Sequence, residues 1–285
     1  MIRVTIVSVS YNSSAALAEM LPNCPNDTKI IVVDNGSRDI ETTRALAAEH
    51  DAKLIELGEN LGFGSACNAG AEGAETEYLL FLNPDAKLKK GGLEALLDGA
   101  DRHAAASAFN PAFLDKNGTP RFPFSSVLLP GKGKLANDGA TEDKEVKVLS
   151  GAALLVRREA FEAVGGFDTE IFLYHEDDDL SLRLAKKCGP LMGIAAAHLS
   201  HDQGNSTPRS AEVAAIKAWH MGRSRVYAMR KHGVKFPFLR SVALALFQTA
   251  SPLTVLSGRK RAKHINFLRG VLSQATPSKD NATVI

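Results

Sequence analysis

A chain of 285 residues that is 45% hydrophobic holds enough apolar material for one large α/β domain, alone or with an appendage. Its three cysteines, at 24, 67 and 188, have neither zinc-ligand spacing nor the density of a disulfide framework, and they fit a reducing compartment. The net charge of +2 conceals a division: residues 1–212 carry 21 Lys and Arg against 31 Asp and Glu, whereas residues 213–278 carry 12 basic residues and no acid. An acidic body with a basic tail suits an anionic membrane surface, and with no nucleic-acid motif in view nucleic acid is set aside as a partner.

Residues 1–9 lack the basic region, apolar segment and cleavage site of a secretory leader, and residues 3–9 read as a first strand. A helix over 14–21 stops before Pro22, followed by a strand over 29–33 and a helix over 41–50. Further strands are expected over 52–57 and 77–82, separated by a helix over 64–73 that is entered through a glycine-rich loop. A helix begins at 92–97, and 104–109 can form a strand. Residues 110–145, rich in Pro, Gly and Lys, read as hairpins or a loop over a cleft. A strand over 147–156 is broken at Ser150-Gly151-Ala152. Helices over 158–164 and 178–187, a strand over 191–197 and a long helix over 210–232 complete the pattern. Strands alternating with helices imply an α/β fold with a mostly parallel sheet covered on both faces. The division expected is a catalytic domain over 1–208 and a basic, apolar helical tail over 209–285. Within that tail, residues 241–256 are too short and too interrupted, by Gln248 and Pro252, to span a bilayer. With basic flanks they suit a membrane interface, or else a helix that covers the core or pairs subunits in a homo-oligomer.

Two apolar runs end abruptly in carboxylates: Leu79-Leu80-Phe81-Leu82 before Asn83-Pro84-Asp85, and Ile30-Ile31-Val32-Val33 before Asp34-Asn35-Gly36. A strand interior has no use for such acids, and ligands of α/β sheets bind in the crevice at the carboxyl ends of strands. The loop Asn60-Leu61-Gly62-Phe63-Gly64, with Asn68 and Gly70, can bring backbone N–H groups close to an anionic ligand. Its spacing matches neither a dinucleotide fingerprint nor a P-loop, which weakens an NAD-dependent oxidoreductase. Glu176-Asp177-Asp178-Asp179 clusters four acids ahead of a helical pattern. Asp178 or Asp179 can cap that helix, leaving Asp177, with Glu176 as the alternative, for general base. His198 and His201 close a strand and can ligate a divalent cation together with Asp85.

The ordered set formed by residues 7–12, 33–37, 60–70 and 82–86, then 150–152, 165–168 and 172–177, then His201 with Gly204 and Ser206, resembles family 2 glycosyltransferases, and most of all their bacterial rhamnosyltransferase branch. The resemblance implies a GT-A fold: a Rossmann-like, mostly parallel central sheet flanked by helices, here with a C-terminal helical extension. It also implies a nucleotide-diphosphate sugar donor, Mg²⁺ or Mn²⁺, and inversion at the anomeric carbon. Asp34 takes the place of the residue that reads the nucleobase, with Ser10 and Tyr11 beside it. Asn83-Pro84-Asp85 stands where the family carries Asp-x-Asp, Asn83 replacing the first acid; Asp85 and His201 fall at metal or diphosphate positions, and Asp177 at the base. The reaction implied is transfer of L-rhamnose from dTDP-β-L-rhamnose to a glycan or polyprenyl-diphosphate-linked acceptor, at the inner face of the cytoplasmic membrane. A UDP-hexose donor and a non-catalytic sugar-nucleotide-binding module are the alternatives.

Overall fold

The computed structural model describes residues 2–122, 125–129, 139–201, 210–250, 254 and 257–275, of which His201 is described by its backbone. Contacts divide it into two compact units. One comprises Met1–Ser126, Gly131–Thr169 and Glu176–Thr207; the other comprises Val127–Pro130, Glu170–His175 and Pro208–Ile285.

The first unit opens with four strands, β1 (Val4–Ser10), β2 (Lys29–Asp34), β3 (Lys53–Glu56) and β4 (Tyr78–Leu82), in the order β3-β2-β1-β4 and all parallel. Helices α1 (Ser14–Met20), α2 (Ile40–Glu49) and α3 (Phe63–Ala71) make the crossovers that parallel neighbours require. Then follow β5 (Ala86–Leu88), α4 (Gly92–Arg102), β6 (Ala108–Leu114), β7 (Pro120–Arg121), β8 (Lys144–Val146), β9 (Ala153–Arg157), α5 (Arg158–Ala163), α6 (Glu176–Lys187) and β10 (Leu191–His201). These strands extend one ten-stranded sheet: β9 runs antiparallel to β4 and to β6, β10 parallel to β6, and β5 antiparallel to β10.

Alternation along β4 sends Leu80 and Leu82 into a core with Ile6, Leu17, Leu93 and Leu96, and Phe81 to the opposite face. There Phe81 lies 5.1 Å from the rings of both Phe161 and Phe167. Helix α3 settles on the sheet because it is made of small residues; a Cβ on Gly70 would stand 2.4 Å from Val7 Cγ1. At the end of β9, Arg157 donates to the carbonyls of Ala100 and Ala106 and to the Tyr78 hydroxyl, tying α4 to the central strands.

Of the two readings of 110–145, the hairpin holds at its start: β6 runs straight through Asn110 and Pro111 and pairs antiparallel with β7, and Asn110 is fully buried. Three expectations are corrected. The strand expected over 147–156 begins only at Ala153, because 150–152 form a turn whose polar atoms are held from within the unit. Helix α6 starts at Glu176, so the acids occupy its first turn; Asp179 is no cap but a buried partner of Arg183 at 2.8 Å. β10 also outruns its expected end. Its register against β6 shifts between Ile194 and His198, and Asp143 accepts the Ala195 N–H at 2.9 Å within that irregularity.

The second unit is helical: α7 (Ala211–Lys231), α8 (Pro237–Thr249) and α9 (Gly258–Leu272). Ser210 caps α7 by accepting from the Val213 N–H at 3.0 Å, and Pro237 fits the first turn of α8, where its missing N–H costs nothing. The helices share a core of Ala218, Val226, Ala245, Phe267 and Val271. Among the described residues no helix is long and apolar enough to cross a membrane.

Candidate active site

The carboxyl ends of β1 and β2 lie side by side, Ser10 in register with Asp34. The Asp34 side chain is 2% exposed. Its Oδ1 accepts from the Gly36 N–H at 3.1 Å and the Ser37 N–H at 2.9 Å, the local turn that an aspartate at a strand end favours. Its Oδ2 is buried and has no hydrogen-bond partner among the described residues. Such an atom carries a cost of about 1–3 kcal/mol unless something satisfies it. Gly36 is obligatory here: its φ is +81° and a Cβ would stand 2.7 Å from the Glu59 backbone. Around it, Ser13 Oγ lies 3.1 Å from Ser10 Oγ and accepts the Tyr11 N–H at 3.2 Å, while Tyr11 itself remains 42% exposed.

The glycine-rich loop is held by amides. Asn35 donates to Asn60 Oδ1 at 3.0 Å and accepts from the Leu61 N–H at 2.9 Å, and Asn60 Oδ1 also accepts the Gly62 N–H at 3.0 Å. Asn68 donates to the Phe167 carbonyl at 2.9 Å and accepts the Phe167 N–H at 2.8 Å. Both polar atoms of Asn68 are thereby engaged with a backbone 99 residues away, which ties α3 to the turn before Asp168.

At the end of β4, a turn over Asn83–Ala86 is closed by the Ala86 N–H donating to the Asn83 carbonyl at 3.0 Å, with Pro84 second and Asp85 third. The Asn83 N–H in turn donates to the Ala152 carbonyl at 3.0 Å, which fastens this turn to Ser150-Gly151-Ala152. Beside them, β5 pairs with the end of β10 so that Ala86 faces His201. The chain therefore brings residue 201 next to residue 86, one place from Asp85, although 115 positions separate them. The His201 side chain, Gly204 and Ser206 lie outside the described residues. Among the described residues no group of three His, Cys, Asp or Glu gathers around a metal site.

The acids of α6 meet the same turn. Asp177 Oδ2 accepts the Gly151 N–H at 3.0 Å and its Oδ1 accepts the Asp178 N–H at 2.9 Å. Ser181 Oγ, one helical turn on, accepts the Leu149 N–H at 2.9 Å. The two leading acids differ sharply in environment. Glu176 is buried, one of its oxygens unpartnered among the described residues, and burial followed by the charge of Asp177 pushes its carboxyl well above the ordinary range. Burial, with Glu176 adding to it, likewise raises the Cys67 thiol. Asp177 is half-buried and accepts N–H donors through both of its oxygens.

One contributor escaped the sequence reading. Asn110 donates to the carbonyls of Ser150 at 3.0 Å and Ala153 at 2.6 Å and accepts the Ser150 N–H at 2.6 Å. All three contacts grip the turn that holds both Asn83 and Asp177. The one available signal was an amide directly before a proline in an otherwise apolar run, which composition reads as a loop.

A parallel half-sheet with polar groups gathered at its carboxyl ends, continued by antiparallel strands bearing further acids, is the GT-A arrangement of glycosyltransferases. The solved mannosyltransferase of Pyrobaculum calidifontis, in complex with GDP-mannose and Mn²⁺, has the same fold. It superimposes with a TM-score of 0.58 at 16% identity, over 95% of this chain and 86% of its own. Residues 5–165 match the model of glycosyl transferase family 2, and the chain belongs to that family. It is 28% identical over 266 residues to the N-acetylglucosaminyl-diphospho-decaprenol L-rhamnosyltransferase of Mycobacterium tuberculosis, covering 80% of this chain and 84% of that one. It is also 28% identical over 250 residues to the rhamnosyltransferase WbbL of Escherichia coli K12, covering 80% and 93%.

Proposed function

We propose that this glycosyltransferase transfers L-rhamnose from dTDP-β-L-rhamnose, with inversion, to a hydroxyl of a lipid-linked saccharide. The observation that carries the mechanism is the hydrogen bond from the Gly151 N–H to Asp177, on a turn that also holds the strand end bearing Asp85. Base, donor-side acid and backbone are thus linked as one constellation. Rhamnosyl transfer is supported by both relatives, and the lipid-linked acceptor by the mycobacterial one.

In this reading the nucleobase donates to the unpartnered Asp34 Oδ2, Ser10 and Tyr11 border the nucleoside, and the 60–62 loop, held by Asn35 and Asn60, borders the donor. Asp177 accepts the proton of the acceptor hydroxyl as that oxygen bonds to the anomeric carbon from the face opposite the diphosphate. The bond from that carbon to the diphosphate oxygen breaks and the nucleoside diphosphate leaves with the electron pair. Inversion therefore requires a single base, and a β-configured donor gives an α-linked product. Glu176, its carboxyl raised by burial, stands beside Asp177 as the alternative base.

Asp85 would supply a carboxylate to a divalent cation, backbone pairing sets residue 201 against the neighbouring Ala86, and diphosphate oxygens and water would complete such a shell. Bound there, Mg²⁺ or Mn²⁺ supplies neutralisation of the charge on the departing diphosphate. A lipid-linked acceptor also brings the reaction to the inner surface of the cytoplasmic membrane. The test is turnover of dTDP-β-L-rhamnose against UDP-glucose and UDP-galactose with an N-acetylglucosaminyl-diphospho-polyprenol acceptor. Selective rhamnosyl transfer giving an α-linkage is expected; preferential use of a UDP-hexose overturns the donor assignment.

A further inference from the structure

Helix α8 is apolar on the wrong side. Its inward residues Phe238, Val242 and Ala245 pack into the core shared with α7 and α9, which supplies the apolar stripe that a globular helix needs. Its outward face should then be polar. Instead Leu239 is 65% exposed, Leu246 53% and Phe247 78%, with Phe236 72% exposed at the helix start. Residues 239, 243, 246, 247 and 250 are all exposed and recur three or four apart, so they form one stripe. Arg240 is the only charged residue between 236 and 250. Scattered exposed leucines need no explanation, but four large apolar side chains grouped on one helix do.

Charge selects the occupant. Lys235 precedes the helix, and α9, packed against α8, carries Arg259, Lys260, Arg261 and Lys263. No acid occurs between 213 and 278, so a second copy of this chain would bring like charges together. An anionic lipid surface instead gains from each of them, roughly fivefold in binding per residue. The 13 residues of α8 extend about 20 Å, short of the roughly 30 Å of a bilayer core, so the helix suits the plane of the interface. We propose that the outward face of α8 inserts into the headgroup region of an anionic membrane while the cations around it hold the chain there. The assignment deepens the reading of a lipid-linked acceptor, and rests on it for its purpose, because a monotopic anchor delivers the enzyme to the surface where such an acceptor is presented.

The experiment is co-sedimentation of the full chain with sucrose-loaded vesicles of phosphatidylglycerol and phosphatidylcholine, or of phosphatidylcholine alone. The substitutions Leu239→Asp and Phe247→Asp are compared with wild type, and far-ultraviolet circular dichroism verifies the helices. Binding to the anionic vesicles is expected to weaken at least tenfold in each variant, and wild type is expected to leave the vesicles in high salt or when the lipid is neutral. Undiminished binding by the folded variants overturns the proposal, as does a wild-type chain that ignores anionic vesicles. A wild-type dimer that Phe247→Asp splits, without vesicle binding, assigns the face to a second copy and equally overturns it. Because the readout is lipid binding, vesicle capture without transfer to a lipid-linked acceptor refutes the acceptor reading and leaves the anchor standing.

Discussion

Asn110 offers the sharpest test of how the site is assembled. Replacing it with Ala deletes three hydrogen bonds, to the Ser150 carbonyl, the Ser150 N–H and the Ala153 carbonyl, in a position with no solvent exposure. At about 1 kcal/mol net for each bond, the substitution costs roughly 3 kcal/mol of the 5–15 kcal/mol typical of a folded domain. The chain should fold with a lowered denaturation midpoint. The larger effect falls on chemistry, because the released turn carries the N–H that orients Asp177 and the carbonyl that holds Asn83. A displacement of about 1 Å there lowers kcat by about 100-fold, whereas the Asp34 end of the site keeps its donor contacts. Asn110→Asp should be worse, since it sets a carboxylate oxygen against two carbonyls. Urea denaturation, donor binding by calorimetry and transfer kinetics are the assays. An Asn110→Ala enzyme with normal kcat would refute the claim that this amide positions the base; lost donor binding with normal kcat would refute the division of the site.

Other expectations follow from single contacts. Asp34→Asn keeps an acceptor for the Gly36 and Ser37 N–H groups but replaces the unpartnered oxygen with a donor; donor KM should rise at least about tenfold with stability unchanged, and an unchanged KM would remove the base-reading role. The raised Glu176 carboxyl binds its proton more tightly folded than unfolded, so its contribution is complete below the ordinary glutamate value of about 4.3 and is lost as pH rises above it. Glu176→Gln should therefore gain stability relative to wild type as pH rises from about 4 to 7; a difference independent of pH would contradict the burial argument. Gly270→Ala should gain about 1 kcal/mol from helix propensity alone. Its Cβ, however, would stand 2.0 Å from the Trp219 carbonyl oxygen, so a net loss of about 1–3 kcal/mol is expected in chemical denaturation, and a net gain would show that α7 and α9 do not cross so closely.

What the sequence reveals about this protein is mostly local. Apolar runs stopped by Asp34 and Asp85 announce strand ends at a crevice, since an unpaired carboxylate is costly in a strand interior, and β2 and β4 end at or just before those acids. Long-range pairing was the illegible part. Nothing near Asn68 or Asn110 tells that their amides grip Phe167 and the 150–152 turn, so the first reads as a ligand contact and the second as loop. Proline at 111 suggests a break, yet β6 accommodates it in parallel pairing with Ile194. The four acids at 176–179 look alike in sequence, and only packing distinguishes them. Glu176 is buried with its carboxyl raised well above the ordinary range, Asp177 faces N–H donors, and Asp179 pairs with Arg183. Similarly, the apolar content of α8 says nothing about which side faces outward.

The most direct test of the account is rhamnosyl transfer by Asp177→Asn, measured beside donor binding in the same preparation. Asparagine preserves an acceptor for the Gly151 N–H but cannot take a proton, so dTDP-β-L-rhamnose should bind within about threefold of wild type while kcat falls by roughly 10²–10⁴. Transfer retained within tenfold of wild type would contradict Asp177 as the base and return the assignment to the other acids of α6.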